Sequence, residues 1–195
     1  MHAGILIARL LVASLMVAVP GFAAACGQPI LQAFVYSKYP EAKAVSAALA
    51  EAENQGDLQG DRWETRSGKS LHVWRAERIA NTMDALDSHL NRTGPPMAAA
   101  SATHILLLND LAWLDITYDG KRIAVSKTQT FGPGKDGVIV FTTRRLVDNV
   151  LDGTITWRQA ASEGLVASRC ADACKDQPYG LLGPLASTPE PSTAY

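Results

Sequence analysis

The sequence lacks an excess of either charge, and this excludes one class of partner. It contains 18 lysines and arginines against 19 aspartates and glutamates in 195 residues. The first 25 residues carry a single formal charge, that of Arg9, so the remainder is also close to neutral. Sequence-independent nucleic-acid binding depends on clustered basic side chains that neutralise phosphates. We therefore expect no nucleic acid among the partners.

The sequence also lacks the short-range motifs of several catalytic and metal sites. His72, His89 and His104 are scattered, without the His-x-x-x-His or His-Glu-x-x-His spacing typical of zinc sites, and we expect structural roles for them. The segment 132–137 contains glycines and a lysine but lacks the Walker spacing, so we interpret it as a connecting loop. Neither a Gly-x-Ser-x-Gly elbow nor a Cys-x-x-Cys-His haem motif occurs. Because the acidic residues are isolated as well, we assign no catalytic residue.

The N-terminus has the order of residues found in an export signal. Leu10–Val19 is almost continuously apolar, with Arg9 before it and Pro20 after it, and the small residues Ala23–Ala25 precede Cys26. A membrane-spanning helix needs about 20 apolar residues, which is longer than this run, and a retained membrane anchor is the alternative. We predict a signal peptide over residues 1–25 and a bacterial, periplasmic location.

Three cysteines leave an odd one in an exported chain, which calls for an explanation. Cys26 follows the predicted cleavage point, where a bacterial lipoprotein carries its acylated cysteine, although Ala23 stands where that pattern most often has leucine. Two alternatives follow: a form anchored by a lipid at Cys26, and a soluble periplasmic form with a free or partnered thiol.

Cys170 and Cys174, in the spacing Cys-x-x-x-Cys, are the feature of the sequence that offers the most possible chemistry. Residues four apart share one face of a helix, so these two can form a disulfide, act as a redox dithiol or bind a soft metal such as Cu(I). In an oxidising compartment a structural disulfide is the simplest interpretation. The alternative is a copper site or a redox pair, and copper is the only cofactor that we consider.

Hydrophobic periodicity predicts one α+β domain over residues 26–186, followed by a disordered proline-rich tail over residues 187–195. We expect an antiparallel, meander-like sheet of four to six strands with helices packed on one face. Thr142 or Thr143 and Thr156 are expected to cap helices. The predicted strands are Ile30–Tyr36, Ser70–Trp74, His104–Leu108, Ala112–Tyr118, Lys121–Ser126 and Val138–Phe141. The predicted helices are Glu41–Glu53, Arg75–Leu90, one containing Leu146–Leu151, and Trp157–Glu163.

The segment of about residues 103–166 resembles the sterol-carrier-protein-2-like (SCP2-like) domain. The similarity consists of the strand Val138–Phe141 running into a threonine cap, the helix Leu146–Leu151 with Asp152-Gly153 after it, and the helix Trp157–Glu163 before Gly164. In that family an apolar final strand follows, whereas this chain continues into Ser168–Cys174. The resemblance implies a sheet covered by helices around an apolar tunnel for an acyl chain, and it implies no catalytic residues.

These observations together predict an exported, non-catalytic binding or accessory protein with a hydrophobic small molecule as its ligand. Large apolar side chains are the candidates to line such a site, although half-buried tryptophans belong more often to the core: Trp113, Ile116, Phe141 and Trp157. Another periplasmic protein is a second possible partner, and a membrane is a partner only through a lipid on Cys26. A copper-handling or redox accessory protein using Cys170 and Cys174 is the alternative function.

Overall fold

The computed structural model describes residues 30–58, 68, 70–93, 102–128, 137–170 and 179–183. The chain consists of two compact units, with the boundary between Lys38 and Tyr39. The first contributes one described helix, α1, over residues 30–38. The described elements of the second are α2 (Pro40–Gln55), α3 (Leu71–Thr93), β1 (Thr103–Leu107), β2 (Ala112–Tyr118), β3 (Ile123–Lys127), β4 (Val138–Thr142), α4 (Arg144–Leu151), α5 (Trp157–Ser162), β5 (Ala167–Cys170) and the 3-10 helix Gly180–Leu182. The predicted signal peptide and tail lie outside the described residues.

The five strands form one sheet in the order β3-β2-β1-β4-β5. β2 pairs antiparallel with β1 and β3, and β5 pairs antiparallel with β4. The predicted α+β class with a sheet of four to six strands is therefore confirmed. The pairing of β1 with β4 is parallel, from Thr103 opposite Val138 to Leu107 opposite Thr142. The antiparallel meander that the sequence predicts thus ends at β3, and β4 joins the sheet on the other side of β1.

Burial explains why β1 takes the central position. All five residues of β1 are buried, as expected of a strand that is covered on both faces. β3 instead exposes Ala124, Ser126 and Lys127, a composition that suits the edge of a sheet. The largely buried β4 therefore gains more apolar contact beside β1 than it would beside β3.

Two segments that the sequence predicts as strands are helical. The predicted strand Ile30–Tyr36 belongs to α1, in which Gln32 Nε2 donates to Tyr36 Oη over 2.7 Å, one helical turn away. The predicted strand Ser70–Trp74 is the beginning of α3, where Trp74 N donates to the Ser70 carbonyl over 3.0 Å. Both predictions are wrong because periodicity alone does not distinguish a buried strand from a helix in a short apolar run.

Helical segments contact both faces of the sheet. Glu41 of α2 pairs with Arg169 of β5, with 2.7 Å between Oε2 and Nη2. Leu181 of the 3-10 helix donates its N–H to Thr103 Oγ1 of β1 over 2.8 Å. The strand register places Arg169 and Thr103 on opposite faces, because successive residues of a strand alternate between faces. The prediction that helices pack on one face therefore fails for the 3-10 helix.

Helix ends follow the capping residues that the sequence predicts. α2 ends at Gly56, whose φ of +82° is left-handed and whose N–H reaches the last carbonyls of the helix, a conformation that glycine adopts without a steric penalty. Thr143 Oγ1 accepts from Leu146 N over 3.3 Å, and Thr156 Oγ1 accepts from Gln159 N over 3.1 Å. These side chains satisfy N–H groups that have no partner inside the helix.

The C-terminal half of α3 lies along the outer edge of β3. Asn91 Nδ2 donates to the Ile123 carbonyl over 2.8 Å, and Asn91 Oδ1 accepts from Ile123 N over 3.0 Å. Asp87 Oδ1 accepts from Val125 N over 3.3 Å. Side chains of α3 thus form hydrogen bonds with backbone groups that an exposed edge strand would offer to another chain.

Among the described helices, none is long and apolar enough to cross a membrane.

Candidate functional site

A cavity of about 320 Å³ lies between the N-terminal half of α3, the turn between β1 and β2, and the end of β3. We name it the α3 cavity. Three walls enclose it: His72, Arg75, Ala76 and Ile79 from α3, the segment Asp110–Trp113 from the turn and the start of β2, and Lys127 and Thr128 from β3. Its volume lies at the lower end of the range for small-molecule sites.

The α3 wall follows from helical spacing. Arg75 and Ala76 lie three and four residues after His72, and four and three residues before Ile79, and residues at these spacings share one face of a helix. Ile79 is buried, Arg75 is half-buried and His72 is exposed. The α3 wall therefore changes from apolar to charged along the helix.

The turn wall is a short loop with one unusual backbone conformation. Leu107 pairs with Ala112, so residues 108–111 form the loop, and Leu108 N donates to the Thr142 carbonyl over 2.8 Å. Leu111 has a φ of +48°, which is uncommon for a residue other than glycine. Backbone strain of this kind is concentrated at binding and active sites, and Leu111 is itself part of the cavity wall.

A buried group of charged side chains holds this turn to α4; we name it the Arg144 network. Arg144 Nη1 lies 2.7 Å from Asp148 Oδ2, and Arg144 Nε lies 3.6 Å from Asp110 Oδ2. Thr82 Oγ1 of α3 donates to Asp148 Oδ1 over 2.7 Å. The Arg144 network thus joins α3 to α4. It also joins these helices to the cavity wall, because Asp110 belongs to the network and to that wall.

Arg78 is the second arginine of the Arg144 network. Its guanidinium lies over the Trp74 ring, with Cζ 4.1 Å from the ring centroid, a favourable arrangement for a cation and an aromatic face. Burial, followed by the positive charge of Arg144, lowers the pKa of Arg78 to about 10. Burial raises the pKa of Asp148, against the hydrogen bond from Thr82 and the charge of Arg144.

Two basic side chains in the lining of the α3 cavity have no counter-charge among the described residues. Arg75 and Lys127 line it, and neither side chain forms an ion pair or hydrogen bond with another residue in the part of the chain that the structure describes. Asp110, the one carboxylate among the described residues of the lining, is already paired with Arg144. The cavity can therefore accept an anionic group beside the apolar surface of Trp113 and Ile79.

The structure separates the four side chains that the sequence analysis groups as ligand-lining candidates. Trp113 lines the α3 cavity. Ile116, Phe141 and Trp157 are completely buried, and none of them lines this cavity. The register places Ile116 on the sheet face opposite to Trp113, and Trp157 packs edge-on against Tyr179 at 5.9 Å between ring centroids.

The sequence does not predict that basic side chains line one cavity, because these residues come from distant segments of the chain. Arg75 lies on α3 and Lys127 at the end of β3, and the turn with Asp110 precedes β2. No spacing in the sequence relates these residues. The unusual φ of Leu111 likewise has no signal, since no glycine or asparagine marks the position.

The histidines and cysteines occupy separate positions. His104 Nδ1 lies 2.7 Å from Asp115 Oδ1 across the β1–β2 pair, and burial, followed by the charge of Arg92, lowers the pKa of His89. Cys170, the last residue of β5, is disulfide-bonded. The other cysteines, including Cys26 and Cys174, lie outside the described residues, so the pairing of Cys170 with Cys174 and the lipidation of Cys26 stay predictions.

Comparisons with known proteins add no family to this picture. No family model matches the chain, and a search of curated proteins gives no match either. The resemblance of residues 103–166 to the SCP2-like domain therefore stays a prediction. Among the described residues, no three histidine, cysteine or acidic side chains are grouped as a metal site would require, and the copper alternative is untested.

Proposed function

We propose that this chain is an exported, non-catalytic binding or accessory protein, and that its α3 cavity holds a small organic anion. The observation that carries the proposal is the lining of the cavity. Arg75 and Lys127 line it, and Asp110, the one carboxylate among its described lining residues, is already paired with Arg144. An anion placed there would neutralise charge that the described protein residues leave uncompensated.

The apolar part of the lining supports an organic ligand and not a bare inorganic ion. Trp113, Leu111 and Ile79 belong to the same cavity as the basic residues. A small ligand site typically combines apolar surface with placed polar groups that fix the orientation of the ligand. The sequence predicts a hydrophobic ligand. The ligand proposed here has a hydrophobic part and, in addition, an anionic group.

A comparison of benzoate with benzamide, its neutral isostere, tests this proposal. We expect benzoate to quench or enhance the fluorescence of the cavity tryptophan Trp113 with a saturable dependence, and benzamide to bind at least about tenfold more weakly, since a hydrogen bond to a charged group contributes about 1.5–3 kcal/mol. Equal affinities, or no saturable signal by fluorescence and by calorimetry, would contradict the proposal.

Matched variants locate the binding. Arg75→Gln should weaken benzoate binding about tenfold or more, because it removes one cation from the lining. Arg158→Gln, which changes an exposed arginine on α5, should leave the affinity unchanged. Raising the salt concentration should weaken benzoate binding in the wild type more than in Arg75→Gln, because screening acts on charge pairs.

Export is the second part of the proposal and needs its own experiment. The run Leu10–Val19 followed by Ala23–Ala25 supports cleavage before Cys26. Fractionation of cells should find the chain outside the cytoplasm with an N-terminus at residue 26. Incorporation of a labelled fatty acid, absent in Cys26→Ala, would identify the lipid-anchored form, and recovery of an uncleaved chain would contradict export by this signal.

A further inference from the structure

The charges around the α3 cavity also indicate how many negative charges its ligand carries; this step rests on the proposed function. The four ionisable side chains of the Arg144 network are two arginines, Arg78 and Arg144, and two aspartates, Asp110 and Asp148. Their formal charges cancel. The network therefore leaves no negative charge over for the residues that face the cavity.

Two cations remain on the cavity lining after this balance. Arg75 and Lys127 come from different elements, α3 and β3, and no described residue forms an ion pair with either side chain. His72, on the same face of α3 as Arg75, adds a further nitrogen to the lining. A monoanion would leave one of the two cations without a counter-charge.

Two cations of different shape suit one kind of anion in particular. An arginine guanidinium binds phosphate oxygens through two parallel hydrogen bonds, and a lysine ammonium contacts a third oxygen as a point charge. A phosphate monoester carries close to two negative charges above its second pKa of about 6. Its ester group would then lie toward the apolar wall of Trp113 and Ile79.

We propose that the α3 cavity selects a small phosphate monoester, held between Arg75 and Lys127 with its organic part against Trp113. Because the cavity volume is about 320 Å³, the organic part is small, at the lower end of ordinary ligand sites. The dianion is favoured over a monoanion of the same shape because it compensates both cations at once.

Phenyl phosphate and phenyl sulfate provide a test, because they have nearly the same shape and differ in charge. Calorimetry at pH 8, where the phosphate is a dianion, should show phenyl phosphate binding at least about tenfold more tightly than phenyl sulfate. Lys127→Gln should reduce this ratio to about twofold or less while phenyl sulfate still binds, and Arg158→Gln should leave the ratio unchanged.

The outcomes separate the two proposals. Equal affinities for phenyl phosphate and phenyl sulfate in the wild type would overturn the phosphate inference and leave anion binding in place. Absence of binding by benzoate, phenyl phosphate and phenyl sulfate would overturn both. A phosphate preference that persists in an Arg75→Gln/Lys127→Gln double variant would show that the selection arises elsewhere, and would overturn the assignment to these residues.

Discussion

The two halves of α3 are held in the fold by different means. In the C-terminal half, Leu86 and Leu90 are completely buried, and Asn91 satisfies the edge of β3. In the N-terminal half, the buried positions include Arg78 and Thr82, which join the Arg144 network. The first arrangement stabilises through apolar burial, whereas the second keeps charges inside the protein next to a cavity. This difference indicates that the C-terminal half anchors the helix and the N-terminal half forms the site.

Breaking the network beside the N-terminal half should have the largest effect on stability. Arg144→Met removes the cation that contacts Asp148 and Asp110, and removal of one partner from a buried pair typically costs about 3–5 kcal/mol. Urea unfolding should show this loss. The exposed Arg158→Met on α5 is the control and should change stability by less than about 0.5 kcal/mol.

A second variant separates the unpaired charge from other effects of Arg144→Met. Arg144→Met/Asp148→Leu replaces the charge pair by apolar groups and should recover part of the lost stability, because the desolvated carboxylate is gone. If the double variant is less stable than Arg144→Met, unpaired charge is not the cause of the loss.

Leu86→Ala tests the apolar half of α3. It removes a completely buried side chain and should lower the free energy of unfolding by about 3 kcal/mol, within the usual range for a cavity left in a core. Leu71→Ala, at the exposed start of the same helix, is the matched control and should cost less than about 1 kcal/mol. Similar losses for the two variants would contradict the described division of α3.

Asn91→Ala tests whether α3 protects the edge of β3. Two hydrogen bonds to the backbone of Ile123 are lost, so we expect a loss of about 1–2 kcal/mol. Hydrogen exchange at the Ile123 amide should accelerate, whereas amides of β1 should keep their protection relative to global stability. Unchanged exchange at Ile123 would contradict the edge contact. Asn54→Ala, on an exposed position of α2, serves as the control.

The smallest expected effect concerns pH. Burial raises the pKa of Asp148 above its ordinary 3.8, so the folded protein binds this proton more tightly than the unfolded chain. The free energy of unfolding therefore falls as pH rises from about 3.8 through the pKa of Asp148 in the folded protein. Above that pKa, ionisation of Asp148 lowers it no further. The difference in unfolding free energy between wild type and Asp148→Asn should decrease over that window, by about 1.4 kcal/mol for each pH unit between the two pKa values. A difference that increases with pH would contradict this assignment.

The sequence predicts those parts of the fold that are determined locally. α2 and β2 have the predicted positions, and the two residues between the predicted strands Ala112–Tyr118 and Lys121–Ser126, Asp119-Gly120, do lie in a connection between two antiparallel strands. The loop is longer than the expected two residues, because Asp119 Oδ1 accepts from the backbone of Lys121 and Arg122 at 2.8 Å and delays β3 to Ile123. Such short-range hydrogen bonds compete with strand pairing.

Tertiary contacts determine what the sequence does not predict. The parallel pairing of β1 with β4 depends on burial of both strands in the assembled sheet, and a hydrophobic pattern specifies a buried face but not a neighbour. The α3 cavity requires Arg75, Asp110 and Lys127 to converge from three elements. Of the four predicted ligand-lining residues, only Trp113 lies in that lining.

The most direct test of the account is one experiment on the Arg75→Gln/Lys127→Gln double variant. Because both side chains lie outside the Arg144 network, the variant should unfold within about 0.5 kcal/mol of the wild type and should bind benzoate at least about tenfold more weakly. The two properties are measured on the same preparation by urea unfolding and calorimetry. Unchanged benzoate affinity in a normally folded double variant would contradict the claim that the N-terminal half of α3 forms an anion-binding site.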